Sequence, residues 1–140
     1  MESREFKPFG SVSALTLGGG GIGNVWGETS KDESIASVHL ALESGIDHLD
    51  VAPMYGKGEA ERVVGEAIKE RSRDSFRLTT KCALGSMPDE EVYDRFNTSL
   101  IRSLDTMGTD YVDLFLLHSQ LIENDHESQK PDSSFVATGT

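Results

Sequence analysis

The sequence lacks the features that mark secreted and membrane-spanning proteins. Its 140 residues include one cysteine, Cys82, which excludes an internal disulfide framework and suits a reducing cytoplasm. No apolar run approaches the roughly 20 residues that a membrane-spanning helix requires, and the charged N-terminal segment has no apolar stretch of the kind that a secretory signal needs. With 36% hydrophobic residues and a mean hydropathy of -0.35, the composition predicts a soluble, cytoplasmic, single-domain protein.

Basic residues are also scarce. The chain has 13 Lys and Arg residues against 24 Asp and Glu, which gives a formal net charge of -11. Nucleic acid and anionic membrane surfaces both call for a basic face, so neither is predicted as a partner. A local basic pocket for a cofactor phosphate stays compatible with this balance, because net charge does not describe a single site.

Short apolar segments alternate with three amphipathic helices over the first 118 residues. A capping box at Ser30 and Glu33 predicts one helix start, and Gly45 stands where that helix should end. Pro88 before an acidic turn predicts another start, and the helix that follows is expected to bury Ile101. The predicted strands cover 12–17, 46–50, 76–81 and 111–117, and the apolar stripes of the helices cover 35–42, 60–68 and 92–104.

This β-α-β-α-β-α-β order repeats at intervals of 31 to 37 residues between strand ends. Units of that length with right-handed crossovers build either a doubly wound sheet or a (β/α)₈ barrel. Four such units make half a barrel. The fourth strand, 111–117, is almost entirely apolar, as expected for a parallel strand covered on both faces.

A glycine run follows the first predicted strand. Gly18, Gly20 and Gly23 match the G-x-G-x-x-G dinucleotide motif, in which a helix must open inside the run to hold a pyrophosphate. Here residues 24–29 intervene before the cap signal, which argues against a Rossmann fold. The run is interpreted instead as backbone that lines a pocket at a strand end. Trp26 is either an apolar wall of that pocket or part of a plain flexible loop.

Polar residues stand at the ends of three predicted strands. Asp50, Lys81 and His118 each end a strand, and Tyr55 lies five residues beyond Asp50 in the next loop. In barrels of this class the active site lies at the C-terminal face of the strands. A single Lys–Asp pair is more often structural, but three strands that deliver Asp, Lys and His to one rim indicate a functional constellation.

These four residue types suit one kind of chemistry. A tyrosine hydroxyl is a weak acid at neutral pH, and a neighbouring lysine ammonium stabilises the phenolate that remains after proton donation. An aspartate holds the lysine charged and fixed, and a histidine can orient a carbonyl oxygen or relay its proton. Metal-ligand spacing is absent. Donation of a proton to an oxygen makes most sense if a bound cofactor delivers a hydride to the carbon.

The residues around this constellation resemble the aldo-keto reductase family. Segment 50–61, DVAPMYGKGEAE, resembles the family signature, and 78–81 (LTTK) and 111–118 (YVDLFLLH) resemble the next two family landmarks in the right order. Segment 12–23 is similar to the family's opening strand and loop. The resemblance implies a (β/α)₈ barrel and reversible, NADP(H)-dependent reduction of small aldehydes or ketones to alcohols. By position it makes Tyr55 the general acid, Lys81 its partner, Asp50 the anchor of the lysine and His118 the group that orients the carbonyl.

The resemblance also implies where the cofactor lies. The nicotinamide would lie near Asp50 and the first loop, around Gly19 and Gly20. The substrate pocket is expected to include Trp26, because of its place in the glycine-rich loop. Family members are about twice as long as this chain, so 1–118 is expected to be the N-terminal half of the barrel and 119–140 a polar tail. A truncated oxidoreductase is therefore expected. The alternative is a catalytically silent half-barrel that acts as a binding or partner subunit, with possible self-association through open sheet edges.

The remaining polar residues are expected to be structural. His39 is placed on a helix flank and His48 low in the second strand, and Asp113 is expected to make structural hydrogen bonds. Cys82 should project away from Lys81 as a small buried hydrophobe. Turn residues Arg71, Arg73 and Asp74 are expected to be solvated.

Overall fold

The structure, a computed structural model, describes residues 1–7, 9–85 and 87–120. The strands within this part of the chain are β1 (Ser3–Phe6), β2 (Gly10–Ser13), β3 (Leu17–Gly18), β4 (His48–Asp50), β5 (Arg77–Cys82) and β6 (Leu114–Leu117). The α-helices are α1 (Gly19–Ile22), α2 (Lys31–Glu43), α3 (Glu59–Ile68) and α4 (Val92–Met107). Short 3₁₀ turns at Arg73–Ser75 and Asp89–Glu91 precede β5 and α4.

Strands β3 to β6 form one parallel sheet in the order in which they occur along the chain. Each strand pairs with the next one after a crossover that contains a helix. A doubly wound sheet reverses its strand order at a switch point, and the described sheet contains no such reversal. Consecutive parallel strands with helices between them form the wall of a (β/α)₈ barrel, the fold class that the resemblance implies.

The capping box predicted for the first long helix is confirmed. The Glu33 backbone N–H donates to Ser30 Oγ at 3.3 Å, and the Ser30 N–H donates to Glu33 Oε2 at 3.0 Å. Gly45, just beyond the end of α2, has a φ of +85°, as expected for a glycine after a helix. The start of α4 also agrees, since Pro88 comes directly before the 3₁₀ turn that leads into that helix.

The hydrophobic core lies between the helices and the outer face of the sheet. Leu49, Val51 and Leu78 project outward and are at most 1% exposed. Because side chains alternate along a strand, Asp50 and Lys81 project from the opposite face. The core therefore fixes the strands that carry the polar residues at the inner rim. The helices contribute Val38, Val63, Val64, Ala67 and Met107 to the core.

The strand predicted over 12–17 is divided in two, which corrects that prediction. Residues 12 and 13 belong to β2, which pairs with β1 in an antiparallel hairpin, and the barrel strand β3 begins only at Leu17. Ser13 causes the break. Its N–H donates to Asp47 Oδ1 at 2.8 Å, and its hydroxyl donates to the Leu15 carbonyl at 2.6 Å. The Asp47 N–H in turn donates to Ser13 Oγ at 3.0 Å, which ties the hairpin to the N-terminal end of β4.

Two apolar residues predicted to be buried are exposed. Ile101 on α4 is 52% exposed, and Leu116 on the inner face of β6 is 39% exposed. Ser103 and Met107 are the buried residues of α4, so the face that packs is rotated from the predicted stripe. β6 is the edge of the described sheet, and this explains why its inner face is only partly covered there. Cys82, by contrast, is 1% exposed and unpaired, as predicted.

The prediction that Arg73 is solvated is wrong. Its guanidinium forms an ion pair with Asp113 at 2.5 Å and lies 3.9 Å from the centre of the Tyr111 ring. It also donates to the Phe76 carbonyl at 2.9 Å. Asp113 Oδ2 accepts a second hydrogen bond from the Leu78 N–H at 2.8 Å, which confirms its structural role. Arg73 therefore joins the start of β5 to the segment before β6.

In the part of the chain that the structure describes, no helix is both long enough and apolar enough to cross a membrane.

Candidate active site

The sheet brings the three strand-end residues to one edge. Asp50 is the last residue of β4, Lys81 is the second last of β5, and His118 directly follows β6. Since these strands are parallel neighbours, their C-terminal ends meet at the same rim. Tyr55 reaches the rim from the loop after β4. The structure thus brings together the four residues that the sequence selects.

Lys81 is the centre of this group. Its ammonium forms an ion pair with Asp50 Oδ1 and donates hydrogen bonds to the Val51 carbonyl at 2.9 Å and to the Tyr55 hydroxyl at 3.4 Å. The residue is only 8% exposed. A buried ammonium is costly unless it has acceptors, and here three oxygens surround it. The carboxylate and the carbonyl hold the charge in place beside the phenol.

Tyr55 is held by its backbone as well as by its side chain. Its N–H donates to the Ala52 carbonyl at 3.0 Å, and its carbonyl accepts from the Ala60 N–H, in the first turn of α3, at 3.3 Å. The Lys81 ammonium lies 4.9 Å from the centre of the Tyr55 ring. The ammonium therefore lies over the aromatic ring, toward its hydroxyl end.

His118 lies on the other side of the tyrosine. The two ring centres are 5.8 Å apart and the ring planes are nearly perpendicular, at 88°. Burial lowers the pKa of His118, and the nearby Lys81 ammonium lowers it further, while Asp50 opposes both. The imidazole is therefore neutral at neutral pH. Its Nδ1 is buried and has no hydrogen-bond partner among the described residues.

The glycine run packs against the loop that carries Tyr55. A Cβ at Gly19 would lie 2.9 Å from Val51 Cγ1 and 3.1 Å from Tyr55 Cδ2, and one at Gly23 would lie 3.0 Å from the Tyr55 carbonyl oxygen. Gly56, with a φ of +61°, approaches Gly23 so closely that its Cβ would meet the Gly23 oxygen at 1.9 Å. The glycines thus permit close backbone approach next to the tyrosine.

One expectation about this run is wrong. Residues 19–22 form a single helical turn, α1, whereas the position of the cap signal predicts no helix before Ser30. The hydrogen bonds from Gly23 N–H to Gly19 O, at 3.0 Å, and from Asn24 N–H to Gly21 O, at 3.1 Å, close the turn. Close packing on the Tyr55 loop favours this compact conformation over an open loop.

Trp26 lies beside the rim with most of its surface in solvent. It is 80% exposed, and its ring covers Gly20, where a Cβ would lie 2.8 Å from the indole. The neighbouring glycine of α1, Gly19, contacts Tyr55. The indole thus covers the same helical turn that supports the tyrosine.

Two other histidines have structural partners. His48 lies beneath Asp50 on β4, with Nε2 at 2.8 Å from Thr79 Oγ1 and Nδ1 at 3.2 Å from Thr16 Oγ1. Burial lowers its pKa, and Asp50 is the largest opposing influence. His39 Nε2 lies 2.9 Å from the Ala67 carbonyl, which ties α2 to α3. Among the described residues, no three His, Cys, Asp or Glu side chains are grouped as metal ligands.

Sequence reasoning missed one member of the site, the Val51 carbonyl that accepts from Lys81. No sequence pattern reveals a main-chain acceptor of this kind. The supporting role of Gly19 and Gly23 was also not predicted, although their spacing of four residues indicates that they lie on the same face of a helical turn.

Residues 14–129 match the family model for the aldo/keto reductase family. The chain belongs to this family. The expected fold class, a (β/α)₈ barrel of which the chain holds the first part, is confirmed.

Individual aldo/keto reductases show how much of the barrel is present. The chain is 39% identical over 114 residues to aldo-keto reductase YhdN of Bacillus subtilis, covering 76% of this chain and 34% of that protein. It is 31% identical over 125 residues to the NADH-specific methylglyoxal reductase of Escherichia coli, covering 79% and 38%. A crystal structure of an aldo-keto reductase from Klebsiella pneumoniae in complex with NADPH superimposes with a TM-score of 0.71 at 27% identity, covering 87% and 40%. The chain thus spans little more than a third of the length of these relatives.

Proposed function

We propose that this protein is an NADP(H)-dependent oxidoreductase that reversibly reduces aldehyde or ketone carbonyls to alcohols. One observation carries the proposal: the buried Lys81 ammonium contacts both the Asp50 carboxylate and the Tyr55 hydroxyl, with the neutral His118 ring beside the tyrosine. Membership of the aldo/keto reductase family supports the reaction class. In this proposal residues 1–118 are the N-terminal half of the barrel, and the polar tail expected over 119–140 lies, from residue 121 onward, outside the described residues.

Each of the four side chains has a role that its contacts support. Tyr55 donates its hydroxyl proton to the carbonyl oxygen as that oxygen becomes an alcohol. Lys81 stabilises the phenolate that remains, because its ammonium is already fixed at the hydroxyl. Asp50 holds the lysine ammonium in position beside the hydroxyl. Neutral His118 orients the carbonyl oxygen toward the tyrosine.

Three residues at the rim are proposed to hold the cofactor. The Asp50 side chain is 35% exposed, so one part of it faces the lysine while another is accessible from the rim. Gly19 and Gly20 lie next to it, and the Trp26 ring that covers Gly20 is open to solvent. When bound, a reduced nicotinamide would supply the hydride that the carbonyl carbon accepts. Trp26 is proposed as an apolar wall for the substrate.

The reaction is tested by incubating the full-length protein with NADPH and a series of small aldehydes and ketones, and following the loss of reduced-nicotinamide absorbance. NADH is included because one relative is a NADH-specific reductase. We expect NADPH oxidation that depends on the aldehyde and forms one alcohol per cofactor oxidised. Absence of turnover with every carbonyl compound and both cofactors would overturn the proposal.

The role of Lys81 is tested by Lys81→Met, which keeps the length of the side chain and removes its charge. We expect kcat to fall by about 10²- to 10⁴-fold. The matched control is Lys69→Met, since Lys69 is a solvent-exposed lysine at the end of α3. If Lys81→Met reduced kcat no more than the control does, the proposed centre would be wrong.

A further inference from the structure

A cleft with a volume of about 350 Å³ lies between α3 and α4, on the helical side of the sheet. Pro53, Lys57 and Gly58, from the loop that carries Tyr55, form one end of it, and Thr106, near the C-terminal end of α4, forms the other. This volume is at the small end of the range for small-molecule sites. The cleft is separate from the rim, because Asp50, Lys81 and His118 take no part in its lining.

The cleft is basic although the protein is acidic. Among the described residues, four cationic side chains line it, namely Lys57, Arg62, Arg95 and Arg102, and Glu61 is the only carboxylate. The whole chain has 13 Lys and Arg residues against 24 Asp and Glu. Almost a third of its cations therefore converge on one opening, a distribution that average surface composition does not explain.

Most of these cations lack an acidic partner. Arg62 pairs with Glu59 at 2.9 Å, but within the described residues no carboxylate lies within ion-pair distance of Lys57, Arg95 or Arg102. Glu61 is one carboxylate against four cations, and among the described residues it forms no ion pair with any of them; its Oε1 accepts from the buried Thr80 hydroxyl at 2.7 Å. The positive charge in the cleft is therefore available to a ligand.

A buried hydroxyl lines the same cleft. Ser103 is 1% exposed, and its Oγ has no hydrogen-bond partner among the described residues. A buried hydroxyl without a partner is destabilising, so a native structure that keeps one calls for an explanation. Ser103 also follows Arg95, Ser99 and Arg102 on the face of α4 that is turned toward α3. A ligand oxygen in the cleft would satisfy it.

We propose that the α3–α4 cleft binds a small phosphate-bearing molecule. Guanidinium groups pair with phosphate through two parallel hydrogen bonds, and several unpaired cations suit the several oxygens of a phosphomonoester or a pyrophosphate. The Ser103 hydroxyl adds a neutral donor at the buried end. Because Lys57 and Gly58 lie in the Tyr55 loop, an anion bound here bridges that loop to α4.

The test is isothermal titration calorimetry of the full chain with pyrophosphate at constant ionic strength. We expect saturable binding that weakens by about tenfold or more in Arg95→Gln and in Arg102→Gln, since each loses a charge-assisted hydrogen bond. Ser103→Ala should weaken binding less and leave the fold intact. Far-UV circular dichroism confirms folding of each variant, and both arginines are exposed, so neither substitution disturbs the core.

The matched control is Arg4→Gln, an exposed arginine of the N-terminal hairpin that pairs with Glu2. It should leave the affinity unchanged. A cofactor site elsewhere in the protein would also bind pyrophosphate, so the assignment depends on the variants. Binding that Arg95→Gln and Arg102→Gln leave unaltered, or no saturable binding at all, would overturn the proposal. Neither result would bear on carbonyl reduction, which is measured separately.

Discussion

Adding one methyl group at Gly19 should disturb the site, while the same addition two residues later should not. A Cβ at Gly19 would lie 2.9 Å from Val51 Cγ1 and 3.1 Å from both the Asp50 carbonyl oxygen and Tyr55 Cδ2. A Cβ at Gly21 meets no atom within 4 Å. Both residues lie in α1, and neither has a positive φ. Comparison of Gly19→Ala with Gly21→Ala therefore separates the effect of side-chain packing on stability from the effect of helix propensity.

The expected magnitudes follow from this geometry. Replacement of Gly by Ala in a helix stabilises the folded protein by about 0.5–1 kcal/mol, and both variants share most of this gain. Overpacking costs about 1–3 kcal/mol, and only Gly19→Ala incurs it, because the Asp50 carbonyl belongs to the sheet and cannot move aside easily. We therefore expect the free energy of unfolding of Gly19→Ala to be about 1–3 kcal/mol below that of Gly21→Ala.

Urea unfolding followed by far-UV circular dichroism measures this difference, provided that both variants show the same dependence on urea concentration. Activity gives a second measurement. The Tyr55 hydroxyl is already 3.4 Å from the Lys81 ammonium, so displacement of the ring should lower kcat several-fold in Gly19→Ala only. Equal stability and equal kcat in the two variants would refute the claim that Gly19 supports Tyr55.

Two further predictions concern stability. Arg73→Ala should destabilise the fold by about 2–4 kcal/mol, because it leaves the partly buried Asp113 carboxylate unpaired and removes the stacked guanidinium. In thermal unfolding the control Arg4→Ala, at an exposed ion pair, should change stability very little. Equal effects of the two substitutions would contradict the structure. Burial lowers the pKa of both His48 and His118 below the ordinary value of 6.5, so the unfolded chain binds more protons below that pH. The free energy of unfolding should therefore decrease as the pH falls through 6.5. His48→Gln should make this decrease smaller, as measured by urea titrations at several pH values. If the substitution left the pH dependence of the free energy of unfolding unchanged, the contribution of His48 would be contradicted.

Local signals predicted much of the fold. The Ser30–Glu33 capping box and the turn at Gly45 depend on residues close in sequence, and the structure confirms both. The strand ends at Asp50 and Lys81 could also be predicted, because each apolar run ends at a polar residue and these ends recur at regular intervals. Their meeting at one rim follows from the parallel topology alone.

Contacts between distant segments could not be predicted. Ser13 ends β2 because Asp47, 34 residues away, binds its main chain and side chain. Arg73 is partly buried because it pairs with Asp113. The two residues are 40 positions apart in the sequence, so no local pattern predicts the pairing. The helical turn at Gly19 likewise depends on the distant Tyr55 loop. In each case a polar or small residue has a partner that no local periodicity reveals.

The central claim is that Tyr55 donates the proton in carbonyl reduction, and Tyr55→Phe tests it most directly, since it removes the hydroxyl and keeps the ring. Steady-state turnover of NADPH and an aldehyde should fall by about 10²- to 10⁴-fold, with the fold unchanged by circular dichroism. Tyr93→Phe, at a tyrosine that is 77% exposed on α4, should retain full activity. Turnover of Tyr55→Phe at more than a few per cent of the unsubstituted protein would contradict the account.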